Sequence, residues 1–465
     1  LYDAVELLDR VSDPKIKEEL DNLRPSSPTT DTEEKTYHEL ISVSVNAGNN
    51  KLYVNPNGEY PSVGTHEYTG PISLTEGENI FYAVAVSDTG LVSPLSIFKY
   101  EISGVIELIE FQDAAIEAEV RKVLSLPSNK PIYSNELWDI RSFTVPAEAK
   151  KYDDLRYMLY LESLSISNGV SGQLQALRGS IDSLSSTLKI LSIQNTILTS
   201  EEMDLISKLY NLEYLILDGC GLSSTAQLSE LTKLLKLNLN NNAIRNISYL
   251  SNMKELKELY LQRNALIDLN AIASCTKLEI LDVSYNALTS LEPIAAFTGL
   301  SALNFSYNEI QDIAPLAQLT DLEILSANNN KISDISPLKD CAKLTVLDLS
   351  SNTIGSLDAL ASHTNMTYLK FAHNQVTELP TWNDSAALVT IDGSYNLISD
   401  LSPLGNLKNI NNISMDYNEN IQSVEALANC PVLIQVNVFG TKVTDVKMLT
   451  DQSIIVNYNP IEVAE

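Results

Sequence analysis

Histidine and cysteine are scarce, with four of each among 465 residues. The histidines are His38, His66, His363 and His373; none lies in an HExxH motif and no two stand at ligand spacing. The cysteines, Cys220, Cys275, Cys341 and Cys430, form no CxxC pair and no zinc spacing. No metal site and no cofactor is expected. GxSxG, phosphate-loop and EF-hand patterns are also missing. Basic residues are few: 31 Lys and Arg face 60 Asp and Glu, a net charge of -29. That balance excludes a nucleic-acid partner, which needs clustered cations against phosphate, and excludes a polybasic membrane contact. No apolar run reaches the ~18 residues read as a membrane-spanning helix. No signal peptide is visible. The chain begins at Leu1 without a methionine and reads as a fragment or processed product, so membrane contact is expected only through an anchor absent from it.

What the chain does have is a repeat. From Leu212 onward, the pattern L-x-x-L-x-L-x-x-N-x-I/L recurs every 22 residues. Units begin at Leu212, Leu234, Leu256, Leu278, Leu300, Leu322, Leu344, Met366, Leu388 and Ile410. The register then slips by one residue to Leu433, and a shortened copy carries Ile454 and Val456. Irregular copies stand upstream at Leu161 and Leu188, giving about fourteen turns in all. Within a unit the x-L-x-L core alternates, so it predicts a short strand with positions 4 and 6 inward and 3, 5 and 7 outward. Apolar residues spaced by three in the second half, with Pro293, Pro315, Pro337 and Pro403 at position 16, predict a 3₁₀ turn on the far side. A single unit cannot bury its apolar face. Stacked units share one core and pair their strands into a long parallel sheet.

Position 9 holds Asn242, Asn264, Asn286, Asn308, Asn330, Asn352, Asn374, Asn396, Asn418 and Asn459. An amide buried inside the bend after each strand satisfies backbone groups of neighbouring turns, so this column is structural. Thr196, Cys220 and Thr441 occupy the same slot and still offer a hydrogen donor. Cys275, Cys341 and Cys430 recur at position 20, several turns apart at about 4.8 Å each, which precludes disulfides. Four reduced, buried thiols are expected.

These units, typified by LTDLEILSANNNKISDISPLKDCAK, resemble the internalin-type leucine-rich repeats of bacteria. The resemblance implies an α/β-type solenoid, curved, with a parallel sheet on its concave face, over residues 137–465. It also implies a secreted or surface protein that binds other proteins. Residues 105–136 resemble the helical cap that precedes such repeats: Phe111, Ile116, Val120 and Val123 or Leu124 fall at helical spacing behind Asp113 as N-cap. Residues 36–104 alternate Tyr, Val, Ile and Thr runs with Gly, Pro and Asn turns, which reads as a small all-β sandwich. Tyr53, Asn57-Gly58, Pro61, Tyr68-Thr69-Gly70-Pro71-Ile72 and Ala83-Val84-Ala85-Val86 resemble the C-terminal domain of chitobiase-type enzymes, although NPNGEYP replaces that family's usual Asp-Gly-Ser core. Residues 1–24 read as a helical remnant: Leu7, Leu8 and Val11, then Ile16 and Leu20, broken at Asp13-Pro14. Residues 25–35 read as a polar linker.

The informative surface is the outward side of the strands. It presents Tyr214, Tyr260, Arg263, Asp282, Tyr285, Tyr307, Asp348, Tyr368, Lys370, His373, Asp392, Tyr395, Tyr417 and Phe439, with Tyr recurring at position 8 in Tyr285, Tyr307, Tyr395 and Tyr417. Tyrosine supplies contact area at low entropy cost and a hydroxyl handle, which suits an interface. The competing account is that these tyrosines only stack on one another between turns. The position-5 aspartates stand several turns apart and cannot act as a catalytic carboxylate pair. The expectation is a non-enzymatic surface protein of a Gram-positive-type bacterium. Its partner would be a protein, such as a host or bacterial surface protein, held on the concave face. The alternative is a glycan or cell-wall ligand held by the β-sandwich or the tyrosine-rich face.

Overall fold

The computed structural model describes residues 10–103, 106–383 and 386–459. Two compact units divide the chain. The first comprises residues 1–111, 120–140 and 157–159; the second comprises 112–119, 141–156 and 160–465.

The second unit is built on a parallel sheet of 15 strands in strict chain order, from Ser142–Val145 to Ile455–Asn457. From Lys236–Asn238 onward each strand is three residues long and runs from position 3 to position 5. Lys236–Asn238 pairs with Glu258–Tyr260, which pairs with Ile280–Asp282, each 22 residues on. The middle residue of each regular strand is buried and its neighbours are half-buried or exposed. Opposite the sheet, 3₁₀ turns such as Glu292–Ile294, Ala314–Gln318, Ser336–Asp340 and Ser402–Leu404 place proline at their first positions. Proline there gives up an amide that no intrahelical bond would use. Leu281, Val283, Leu288, Leu291, Ile294 and Phe297 illustrate the core of one turn, none more than 1% exposed. The first strand, Ser142–Val145, carries no repeat signature; alternation alone, with Phe143 and Val145 buried, admits it to the sheet edge.

A helix, Ala114–Val123, precedes these strands. The Asp113 carboxylate accepts from the amides of Ala115 at 2.9 Å and Ile116 at 3.4 Å, the N-cap expected of it. Its other oxygen accepts from Lys150 at 2.7 Å and Lys151 at 3.1 Å. Ile116 and Val120 are fully buried, whereas Val123 is 45% exposed and leaves the apolar face.

In the first unit a four-stranded sheet runs in the order Thr36–Tyr37, Ser96–Ile102, Gly77–Val86, Lys51–Asn55. Two short ribbons, Thr29–Thr30 with Val45–Asn46 and Ser42–Val43 with Ile72–Ser73, accompany it. Val43, Val45, Leu52, Val54, Leu74, Phe81, Phe98, Tyr100 and Ile102 form one core, and Tyr53, Val84 and Val92 form a smaller cluster. Residues 25–35, expected as a linker, instead pack into this all-β unit. Thr29–Thr30 is a strand, Pro25 and Pro28 are buried, and the Tyr100 hydroxyl reaches the Thr30 hydroxyl and the Thr32 carbonyl, each at 2.9 Å. Their polar composition concealed this because the anchoring comes from backbone pairing. The helix Pro14–Leu23, capped by Asp13, buries no residue of its own. Leu7, Leu8, the boundary residues 104 and 105, and Ile461 lie outside the described residues.

Candidate binding face and its aromatic rim

The interior column that supports the face is built as expected. The Asn308 amide donates to the carbonyls of Val283 (3.0 Å), Phe305 (2.9 Å) and Ser306 (3.3 Å), and its oxygen accepts from Leu288 N–H at 2.9 Å. Asn242, Asn264, Asn286, Asn330, Asn352, Asn374, Asn396 and Asn418 repeat this pattern, each binding its own turn to the one before. Asn459 accepts from the Gly440 amide at 3.3 Å. In the same slot, Thr196 donates to the Gln194 carbonyl, Cys220 to that of Ile193, and Thr441 to that of Val438. All four cysteines are free and buried. Burial pushes the Cys220 thiol up to about 12 and those of Cys275, Cys341 and Cys430 to about 11, so none is a thiolate near neutral pH.

One residue outward, at position 8, the backbone turns left-handed in every regular unit. Asn241, Arg263, Tyr285, Tyr307, Asn329, Ser351, His373, Tyr395 and Tyr417 all have φ between 54° and 57°. The conformation is held by the backbone itself. The Tyr285 amide donates to Ser306 O, that of Tyr307 to Asn328 O, that of Asn329 to Ser350 O and that of Ser351 to Ala372 O. Glycine and asparagine take this conformation cheaply, and a bulky side chain there carries a backbone cost of about 1–2 kcal/mol. Four tyrosines occupy it nonetheless.

These rings stack. Tyr285 and Tyr307 lie 4.1 Å apart at 11°, with the Arg263 guanidinium 4.5 Å over Tyr285. His373 and Tyr395 stack at 4.1 Å and 12°, Tyr395 and Tyr417 at 4.4 Å and 16°, and Phe439 closes the column edge-on at 5.8 Å. The strands end at position 5, so the rings form a rim along the C-terminal edge of the sheet and do not lie on its face. Tyr285 lies between Arg263 and Tyr307, and Tyr395 between His373 and Tyr417, so these two rings have neighbours on both sides, whereas Tyr307 stacks on Tyr285 alone; Tyr307 and Tyr395 are each 43% exposed.

The rim changes what lies behind it. Position 7 was expected to point outward, yet Ser284, Ser306, Ala372 and Ser394 are buried. Each precedes a ring at position 8. Where position 8 is Asn241, Arg263, Asn329 or Ser351, the preceding Asn240, Gln262, Asn328 or Ser350 is only half-buried. The rings roof the residue before them, except at Tyr417, where Asp416 stays half-buried.

The remaining candidates lie on the sheet face. Tyr214 and Tyr368 stand at position 3; Tyr260, Asp282, Asp348, Lys370 and Asp392 stand at position 5. Glu258, absent from the sequence-derived set, joins them: it takes Lys236 Nζ at 2.7 Å and the Tyr260 hydroxyl at 2.9 Å. Its signal was a charge opposite Lys236 exactly one repeat later. Burial, together with the Glu258 carboxylate, pushes the Tyr260 phenol up to about 12. The hydroxyl of Tyr368 beside it, with the carboxylates of Asp348 and Asp392, raises the Lys370 ammonium. The three aspartates also have local work. Asp282 accepts from the amide and hydroxyl of Ser284 (2.9 and 2.6 Å) and from Asn304 (3.0 Å); Asp348 accepts from Ser350 N–H (3.0 Å) and Asn328 (3.1 Å); Asp392 accepts from the amide and hydroxyl of Ser394 (3.1 and 2.8 Å). These bonds set the turn that leads into position 8. Among the described residues no three His, Cys, Asp or Glu side chains converge on a metal position, and no helix is long and apolar enough to cross a membrane.

The family model for leucine-rich repeats in two copies matches residues 254–296, 298–340 and 320–362. No curated protein matches the chain. Among solved structures, the internalin inlF of Listeria monocytogenes is 25% identical, covers 76% of this chain and 96% of its own, and superposes with a TM-score of 0.63. The functional domain of InlJ from Listeria monocytogenes is 21% identical, covers 76% of each chain and gives 0.55. A leucine-rich-repeat protein of Leptospira interrogans is 18% identical, covers 70% of this chain and 97% of its own, and gives 0.54. With its 15-stranded parallel sheet and its asparagine column, the second unit has the fold of a curved leucine-rich-repeat solenoid, similar to that of the internalins.

Proposed function

We propose that the chain is a non-enzymatic binding protein that recognises a protein ligand on the outward side of the solenoid sheet, and that it works outside the cell or at the surface of a Gram-positive-type bacterium. The observation that carries this reading is the cost accepted at position 8. Asparagine would sit there with less strain, as it does at Asn241 and Asn329, yet four tyrosines are held in left-handed backbone, and Tyr307, Tyr395 and Tyr417 are exposed. An ordered row of hydroxyl-bearing edges suits a protein surface. The stacking also weakens the glycan alternative at the rim, because a sugar ring needs a free aromatic face and the stacks close most of theirs. The resemblance to internalins supports a surface role, and the all-β unit, with its resemblance to chitobiase-type domains, is read as an accessory β-sandwich. The proposed all-β domain extends the expected 36–104 back to residue 25, and the proposed solenoid covers 137–465.

The test pairs a glycan array with host and bacterial surface extracts. Capture of a protein by the intact chain, lost on combining Tyr285→Asn, Tyr307→Asn and Tyr395→Asn, is the expected result. Asparagine already occupies this position elsewhere, so the fold is retained and loss reads as binding. Saturable glycan binding with no captured protein overturns the reading.

A further inference from the structure

We infer that the middle of the sheet takes an extended segment of a partner protein bearing a large aliphatic side chain between basic ones, and that this segment passes out through a break in the aromatic rim. The inference rests on the outward side of the sheet being the binding surface, and it adds where on that surface the partner lies and what chemistry it presents.

Three observations coincide in the same turns. First, position 3 is apolar in four successive strands: Ile280, Ala302, Ile324 and Val346 lie side by side in register, with Ile324 45% exposed. The stripe gives way to Glu258 before it and meets Tyr368 after it. Second, the charge around the stripe has one sign. At the outward positions of these four units, and at position 2 beside them, stand Glu279, Asp282, Glu323 and Asp348, with no lysine or arginine. Two lysines border the stripe, Lys257 bonded to Glu279 at 2.9 Å and Lys370 beside Asp348 in the next strand, which leaves Asp282 and Glu323 without a lysine of their own. Third, the rim is interrupted at the same place. Between Tyr307 and His373 position 8 holds Asn329 and Ser351, and behind them Asn328 and Ser350 are unroofed.

The break spans three strand spacings, about 14 Å between ring positions, or roughly 10 Å clear once the thickness of the rings is removed. That is the width of one extended chain with its side chains. A segment laid along the strands there meets Glu323, then Ile324 and Val346, then Asp348, then the Asn328 amide and the Ser350 hydroxyl. The complementary order is cation, aliphatic, cation, followed by backbone that can bond to the Ser350 hydroxyl and to the amide hydrogen that Asn328 does not give to Asp348. A stripe of apolar surface provides the attraction and the carboxylates on both sides select against acidic partners.

The chain supplies its own way to test this. Tyrosine is tolerated in the left-handed backbone at Tyr285, Tyr307, Tyr395 and Tyr417, so Asn329→Tyr with Ser351→Tyr continues the column and closes the break. The probe is a fluorescent heptapeptide alternating lysine and leucine, followed by anisotropy against the full chain. Saturable binding is expected. It should weaken more than about tenfold, a 1.4 kcal/mol change, in the closed variant and in Ile324→Ser. It should change less than about twofold, well below that margin, in Lys447→Ala, an exposed side chain outside the sheet and its rim. The same weakening is expected when the probe alternates glutamate with leucine or lysine with serine. Equal binding of the lysine–serine peptide, full binding by the closed variant at an unchanged unfolding midpoint, or no saturable binding by the native chain each overturns the inference. In those cases, capture of a surface protein that is lost on the triple tyrosine variant leaves the wider reading standing; glycan-only binding removes both.

Discussion

Two columns run the length of the solenoid one residue apart, and they obey different rules. At position 9 asparagine is nearly invariant along the chain, buried or half-buried, and bonded to two turns at once. At position 8 the backbone is equally uniform, yet the side chain is Asn, Arg, Tyr, Ser or His. The backbone bonds explain the contrast. The position-8 amide and its neighbours complete the ladder whatever the side chain, whereas the position-9 side chain is itself part of the ladder. Stability is therefore concentrated in the inner column, and the outer column is free to vary with what it contacts.

The sharpest way to break the comparison is Asn308→Ala. It removes four hydrogen bonds and leaves the Val283 and Phe305 carbonyls and the Leu288 amide buried without that partner. A loss of at least ~3 kcal/mol is expected. It would be read from denaturant unfolding followed along the repeat array, where transitions need not be two-state. A cost no larger than that of a position-8 change would erase the distinction.

Acid provides a second probe of the interior. His363 is 1% exposed at position 20, its Nε2 3.1 Å from the Leu338 carbonyl. Burial lowers its pKa below the ordinary 6.5. The unfolded chain then takes up the proton first, so the full stability this residue contributes is present above about 6.5 and is lost as pH falls through the lower folded value. His363→Cys copies Cys341 at the equivalent site, whose thiol faces the Leu316 carbonyl at 3.7 Å, and should flatten that part of the acid limb. An unchanged pH profile of the melting temperature would assign the acid sensitivity elsewhere.

At the rim, Tyr307→Asn should move the unfolding midpoint little. A lost stacking contact, about 0.5–1.5 kcal/mol, is set against relief of left-handed strain of similar size. Protein capture should fall in the same variant, which separates the two columns by function. Thiol reagents give a related contrast: Cys220, Cys275, Cys341 and Cys430 should label only on unfolding, since burial raises all four thiols.

The smallest effect is expected from the exposed ion pairs that join turns along the sides, such as Lys331 with Glu309 at 3.1 Å and Lys343 with Asp321 at 2.7 Å. Lys331→Ala should leave the unfolding curve unchanged within error, because both partners are solvated and screened.

The 22-residue period by itself determined the stack, the parallel strands, the proline-led 3₁₀ turns, the buried thiols and the asparagine column, because each follows from a local rule repeated at a constant stride. The candidate residues of the face were legible from the same register. The sequence did not disclose what depends on contacts between turns. Stacking turned Tyr285, Tyr307, Tyr395 and Tyr417 into a rim and buried the serines before two of those rings and the one before Tyr395, although single-strand alternation would point them outward. Thr29–Thr30 became a strand by pairing with Val45–Asn46, and Ser142–Val145 joined the sheet without the motif. Backbone pairing carries no residue-type signature, and although the tyrosines recurring at position 8 already suggested stacking, only the tertiary structure decided which rings stack and what they bury.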